Sequence, residues 1–427
     1  MTRRPFPAPQ LVVPLLAIAA LLAGCGARSH AHSPMGLSDV AVVGSPDAAP
    51  SAPTTPATTS PSTPPSTPPS TSATTAPTAA PFDQPRAGVP LPDGFVPQRL
   101  KPGQRPPQFV VVSFDGVGWH EMWQHWMAIA HRVPFRFTGF LSGTYLLSDR
   151  TRDRYHPPYY PPGTSEIGWG TPGDVPVEIG DLDRAVADGM EIGTHFNGHF
   201  CASAGLPSGG NTWTTRDWDT ELDQFFHLLR DYRRDNALPG STHLDVAAGD
   251  ITGSRTPCLE GRPAALYPAL AAHGFTYDAS FTRPALTWPT RDPGTGLWQL
   301  GMTIFPLHGT GHPVTTMDYN YFFTQRGAVD GTLAQARADE QQVLATYDDL
   351  YRASFRGNRA PVILGNHFND WNHSAYLNAL SSFVLRTCGR ADTECVPFRD
   401  LVAWLDVQRP ATLDRLNAGA GSAGSGR

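Results

Sequence analysis

From residue 108 onward the chain alternates short runs of β-branched and aromatic residues with longer stretches whose apolar side chains recur at helical spacing. This pattern leaves few folds open. The strand-like runs are FVVVSF, RFTGFLSG, MEIGTHF, GDITGSR, GFTYDAS, LWQLGMTIFPL and APVILGNHF. Between them, RDWDTELDQFFHLLRDYRRD, GRPAALYPALAAHG, TLAQARADEQQVLATYDDLYRAS and SAYLNALSSFVLRT carry the helical pattern. Strands alternating with helices predict an α/β fold with a mostly parallel sheet, open or closed into a barrel. One domain of about 320 residues is large for this plan but suits a barrel with insertions.

The residues before Phe82 read differently. Arg3 and Arg4 precede the apolar run LVVPLLAIAALLAG, which closes in LAGC at Cys25. The run is short for a membrane span and resembles a bacterial lipoprotein signal, cut before a cysteine whose thiol is lipidated. The expectation is export, with the chain anchored by Cys25 to the outer face of the cytoplasmic membrane. Residues 26–81, and Ser45 to Pro81 above all, are rich in Pro, Thr, Ser and Ala. They offer almost no large apolar side chain to bury, so a disordered linker is expected. The domain is expected over residues 82–410, with residues 411–427 as a flexible tail.

Charge excludes some functions. The net charge is −6, and no basic block tracks a phosphate backbone, so nucleic acid is not an expected partner. Lys101 is the only lysine, which sets Schiff-base chemistry and a lysine general base aside. Five cysteines are present, and with Cys25 reserved for the anchor the other four allow three pairings. Cys388 and Cys395 enclose a short polar loop and are paired with each other, leaving Cys201 with Cys258.

Four of the strand-like runs deliver a polar residue near their ends. Asp115 follows VVVSF, His195 and His199 follow MEIGT, Arg255 follows DITGS and His367 closes VILGN. Imidazoles at i and i+4 on one helical turn can face a single ion. An arginine can orient a carboxylate through paired hydrogen bonds. Four strands each presenting such a polar residue at the C-terminal end are the arrangement expected of an α/β-barrel active site.

On these residues the chain resembles the polysaccharide deacetylase family of carbohydrate esterases, from about Gln108 to Leu405. The family's T-F-D-D-G motif falls on Ser113 to Val117, its H-[ST]-x-x-H motif on His195 to His199, R-x-P-Y on Arg255 to Cys258 and L-x-H on Gly365 to His367. The phrase HGFTYDAS is also similar to the family's segment after the arginine motif. The resemblance implies a distorted (β/α) barrel holding a divalent metal ion, zinc first, with cobalt or nickel as substitutes. It implies that Asp115 is the catalytic base, that Arg255 orients it, that His195 and His199 bind the metal, and that His367 is the general acid. The backbone N–H of Cys258 would face the oxyanion, and Asp318 is the candidate for keeping His367 charged. The implied reaction is hydrolysis of N-acyl groups on amino sugars of an envelope or extracellular polysaccharide by a monomer. Gly116 stands where the family has a metal-binding Asp, and Asp250 and Asn197 are candidates to replace it. That gap, with the tryptophans of GWHEMWQHW and NTWTTRDW, leaves a non-catalytic glycan-binding lipoprotein as the competing reading, and an amidase on a peptide or small amide as a third.

Overall fold

The computed structural model describes residues 85–202 and 208–418. The signal segment, Cys25 and the linker at 26–81 lie outside the described residues. The strands are β1 (Gln108–Asp115), β2 (Thr138–Leu141), β3 (Glu191–Thr194), β4 (Gly253–Ser254), β5 (Tyr277–Asp278), β6 (Thr282–Pro284), β7 (Thr290–Arg291), β8 (Trp298–Gln299), β9 (Met302–Pro306), β10 (Pro313–Thr315), β11 (Val362–His367) and β12 (Thr393–Cys395). The helices are α1 (His120–Ala130), α2 (Asp174–Ala187), α3 (Thr215–Asp235), α4 (Pro263–Ala272), α5 (Asp318–Arg326), α6 (Leu333–Arg356), α7 (Trp371–Thr387), α8 (Phe398–Asp406) and α9 (Pro410–Ala418).

The main sheet runs β11-β1-β2-β3-β4-β5-β8-β7, with β12 beside the start of β1. All its pairings are parallel except β7 with β8. A three-stranded sheet of β10, β9 and β6 meets it at β11, where Gly365 donates from N to Thr316 O at 2.9 Å. A Cβ on Gly365 would stand 2.7 Å from the Met302 methyl and 2.9 Å from that of Met317, so glycine permits this approach. The expected α/β barrel is therefore observed, as a curled and incompletely closed parallel sheet.

β1 is buried at all eight residues because both its faces are covered, which explains an unbroken apolar run where an exposed sheet would alternate. Its pleat still sorts side chains by period two. Val110, Val112 and Phe114 pack under the outer helices, whereas Phe109 and Val111 belong to the inner core with Phe140, Tyr277 and Trp404. Ser113 and Asp115 follow the inner register. Helix α8 floors the barrel, with Phe398 5.3 Å from the Tyr277 ring and Trp404 5.1 Å from that of Phe109. The floor is pinned by Glu191, which accepts from Thr138 Oγ1 at 2.7 Å, Tyr277 Oη at 3.0 Å and Arg399 N at 2.9 Å.

Several expectations are refined. The run LWQLGMTIFPL splits into β8 and β9 in different sheets, broken at Gly301, where a Cβ would press on the Phe281 carbonyl oxygen. Residues 411–418 are not a loose tail: they continue α9, whose Leu416 is buried. Both disulfides form as paired from the sequence, Cys201 with Cys258 and Cys388 with Cys395. Among the described residues, no helix is long and apolar enough to cross a membrane.

β4 is only two residues long, and it places Arg255. A Cβ on its Gly253 would overlap the ring of Tyr277. Gly253→Ala is expected to destabilise the domain by about 1–3 kcal/mol, the usual cost of overpacking a filled interior. A urea titration showing an unchanged midpoint would contradict this packing.

Candidate active site

The ends of β1, β3, β4 and β11 bring four of the expected groups to one end of the barrel. Asp115 ends β1, 3% exposed, and its Oδ1 accepts from Arg255 Nη1 at 2.7 Å. Arg255 is wholly buried after β4, and the same Nη1 also donates to Ser113 Oγ at 2.7 Å. Its Nε donates to Ala279 O at 3.1 Å, and the guanidinium carbon lies 4.6 Å from the Phe140 ring centre. The arginine is thereby fixed by β1, β2 and the turn that follows β5 at once.

His195 follows β3, and its Nδ1 donates to Arg255 O at 2.9 Å. That bond sets the tautomer, so Nε2 carries the lone pair. His199 lies with its ring centre 5.2 Å from that of His195. The two do not share a helical turn. Phe196 and His199 both have positive φ, at 58° and 60°, and a looped backbone brings the rings together. The loop is clamped from beneath: Asn197 Nδ2 donates to Glu221 Oε2 at 2.5 Å, Tyr155 Oη donates to Glu221 Oε1 at 2.6 Å, and Gly198 N donates to Tyr155 Oη at 3.2 Å. No motif in the sequence exposed this clamp, because its three elements lie far apart along the chain.

On the far side His367 ends β11, paired in register with Asp115. Its Nδ1 donates to Asp318 Oδ1 at 2.7 Å. Asp318 Oδ2 accepts from His367 N at 2.7 Å and from Asn369 Nδ2 at 2.9 Å, so the carboxylate is held in place and its charge faces the imidazole.

These surroundings shift the groups in opposite directions. Burial raises the Asp115 carboxyl, but Arg255, His195 and His367 outweigh it and hold the group below its usual range. Burial pushes His195 down to about 4 and His199 down to about 3. Burial also lowers His367, yet the charge and hydrogen bond of Asp318, aided by Asp115, carry it above the usual imidazole value. Near neutrality the site holds a carboxylate, two neutral imidazoles and a histidine inclined to keep its proton.

Cys258 sits in a left-handed turn with φ of 55°, tied through its disulfide to Cys201 beside His199. The bridge joins the loop after β3 to the loop after β4. Asp250 is exposed, and its Oδ2 accepts from Ala247 N at 2.8 Å before β4 begins. It stands at the wrong end of that strand to replace a ligand. Asn197 gives only its Nδ2 to Glu221; its Oδ1 is buried beside Gly143 with no hydrogen-bond partner among the described residues.

The place of the family's second Asp is filled from another direction. Gly116 has φ of 64°, and a Cβ on it would meet Tyr145 Oη at 3.4 Å; a Cβ on Gly118 would run into the same ring. Tyr145, from the turn after β2, thus closes the space, and its phenol is pushed up by burial and by Glu178. Two buried neutral imidazoles, one tied at Nδ1 to a backbone carbonyl, are a donor set that suits a divalent ion. Among the described residues, no group of three histidine, cysteine or carboxylate ligand atoms mutually within 4.8 Å contains both His195 and His199. The sulfurs near His199 belong to a disulfide. The chain's own residues therefore fit a two-imidazole seat, one protein ligand short of the usual catalytic zinc site.

No protein-family model and no curated protein matches the sequence. Solved structures are similar in fold. A chain from Mycobacterium smegmatis named as a polysaccharide deacetylase shares 15% identity, covering 75% of this chain and 93% of its own, with a TM-score of 0.42. A family 4 carbohydrate esterase from Streptomyces lividans, in complex with acetate, shares 12% over 65% and 88%, with a TM-score of 0.32. A CE4-family pseudoenzyme from Bacillus anthracis shares 10% over 73% and 71%, with a TM-score of 0.37.

Restoring the carboxylate needs room. The double variant Gly116→Asp with Tyr145→Ala is expected to bind Co²⁺ at least about tenfold tighter than the parent chain, since a ligand should matter no less than the outer partners whose loss costs 10–100-fold. Equal affinity by titration calorimetry would show that Gly116 does not face the imidazoles.

Proposed function

We propose that the chain is a hydrolase that removes N-acyl groups, acetyl first, from amino sugars of a cell-envelope or extracellular polysaccharide. The observation that carries this reading is the pairing of two opposed proton-transfer groups at the neighbouring ends of β1 and β11: Asp115 gripped by Arg255, and His367 hydrogen-bonded to Asp318. Buried ion pairs are costly, and a surface that only bound sugar would have no use for two of them facing each other.

In this mechanism Asp115 takes the proton of the attacking water, oriented by the single Arg255 contact. His367 gives its proton to the leaving amine through Nε2, since Nδ1 is committed to Asp318. The Cys258 backbone N–H, turned by its left-handed conformation, is the donor assigned to the carbonyl oxygen. His195 and His199 would hold a divalent ion, zinc first, which when bound polarises the acyl carbonyl and lowers the pKa of a water. The chain is placed outside the cytoplasmic membrane, anchored at Cys25, and acts as a monomer.

The missing third ligand favours a second reading, a glycan-binding protein that has kept the barrel and lost turnover. Acetate release from N-acetylated chito-oligosaccharides and peptidoglycan fragments separates the two. Release that a chelator abolishes supports the hydrolase; glycan binding without release supports the second reading. Asp115→Asn is expected to lower turnover by about 10²–10⁴, the contribution of a positioned base.

The pH profile of kcat/KM should be bell-shaped. Asp115 is ionised above a value below 3.8, and His367 keeps its proton to above 6.5, so the acid limb lies low and the alkaline limb lies above 6.5. Asp318→Asn removes the charge that raises His367 and should move the alkaline limb down. An alkaline limb unmoved in that variant would take the acid role from His367.

A further inference from the structure

α7 begins where β11 ends, at the active-site end, and runs back; α6 leads into β11. Both helices therefore finish at the opposite end of the barrel. Between their last turns lies a cavity of about 440 Å³ whose lining includes Arg352, Arg356, Arg386, Arg390, Tyr351 and Asp348. All four arginines are exposed. Arg386 Nη2 spans both oxygens of Asp348 at 3.0 Å, and Arg352 pairs with Asp349. Arg356 and Arg390 have no ion-pair partner among the described residues, and the Arg390 guanidinium stands 5.5 Å from the Tyr351 ring.

Two ordinary explanations of these charges fall short. Cations near helix C-termini offset the dipole and cap carbonyls, but Arg105 already does this for α6, donating from Nη2 to Phe355 O at 3.0 Å and Gly357 O at 2.7 Å. Nor is the chain basic throughout, since its net charge is −6. The patch opposes the sign of the whole molecule. The residues that lead into β1 also pack at this end: Arg105 reaches the end of α6, and Asp93 pairs with Arg399 of α8, the floor of the barrel.

We infer that this arginine-lined cavity binds the phosphate groups of anionic phospholipids, seating the barrel on a bilayer with its active-site end turned outward. Guanidinium groups match phosphate oxygens in bidentate geometry, and exposed ones need little desolvation to do so. The choice of a lipid surface rests on the reading of Cys25 as a lipid anchor and on the sign of the patch, which matches the phosphates of an anionic bilayer. It does not depend on hydrolysis.

The test is partition of the full chain onto vesicles of phosphatidylcholine alone and of phosphatidylcholine with one-third phosphatidylglycerol. The apolar N-terminal segment and any lipid contribute to both, so the ratio of the two partition coefficients reads the arginines. Arg356→Gln with Arg390→Gln should lower that ratio about fivefold per arginine, and high salt should collapse it in the parent chain. Both side chains are exposed and unpaired, so the thermal midpoint should not move, and acetate release should be unchanged. A ratio that is the same in the variant, or that is near one in the parent, overturns the proposal. So does inorganic phosphate binding in the cavity while the vesicle ratio stays near one, which would make it a site for free anion.

Discussion

Arg255 is the residue through which the site holds its shape. Its side chain grips Asp115 and Ser113 on β1, its Nε reaches the Ala279 carbonyl, its own carbonyl accepts from His195, and its N–H continues the ladder by donating to Thr194 O at 3.0 Å. One buried residue therefore orients the carboxylate through its side chain and the imidazole through its backbone. Such a pair adds little stability by itself, but removing one partner strands the other's charge and costs about 3–5 kcal/mol. The barrel is built to keep that from happening, with Phe140 and Phe398 flanking the guanidinium and the Cys201–Cys258 bridge tying the two loops beside it.

Around this cation, buried groups of the same type are driven apart by their partners. His195, His199 and His367 all lose solvent, which by itself disfavours their charge. Of the three, only His367 has a carboxylate hydrogen-bonded to its ring, and only it rises. The difference between a neutral imidazole and a proton donor thus comes from one aspartate on the first turn of α5. The floor of the barrel shows the same logic with the opposite outcome. Asp400, buried near Asp93 and Arg399, is pushed up to about 8, chiefly by burial, although Arg399 opposes the rise.

Much of this was legible in the sequence. The parallel sheet followed from unbroken apolar runs between amphipathic helices, and the polar strand ends were visible because Asp, His and Arg are conspicuous after Val, Ile and Phe. Asp318 could be guessed because a histidine kept protonated needs a carboxylate. Spacing failed where the backbone left regular structure. His195 and His199 looked like one helical turn, yet two residues of positive φ make a loop instead. Tyr145 was invisible, since it reaches Gly116 through space from the turn after β2. The Glu221 clamp draws on residues 155, 197 and 221, and no local pattern joins them. GDITGSR and GFTYDAS do hold strands, though each is only two residues long, whereas the exposed two-residue strand β7 lies below what periodicity can resolve.

The central claim is that Asp115 and His367 face each other as an ionised base and a protonated acid. Nuclear magnetic resonance titration of the histidine side chains in the metal-free chain reads this directly. The account predicts that His367 titrates above 6.5 and falls in both Asp318→Asn and Asp115→Asn, while His195 and His199 stay neutral down to about 4 and about 3. A His367 that titrates at or below 6.5 and is indifferent to Asp318 would contradict it.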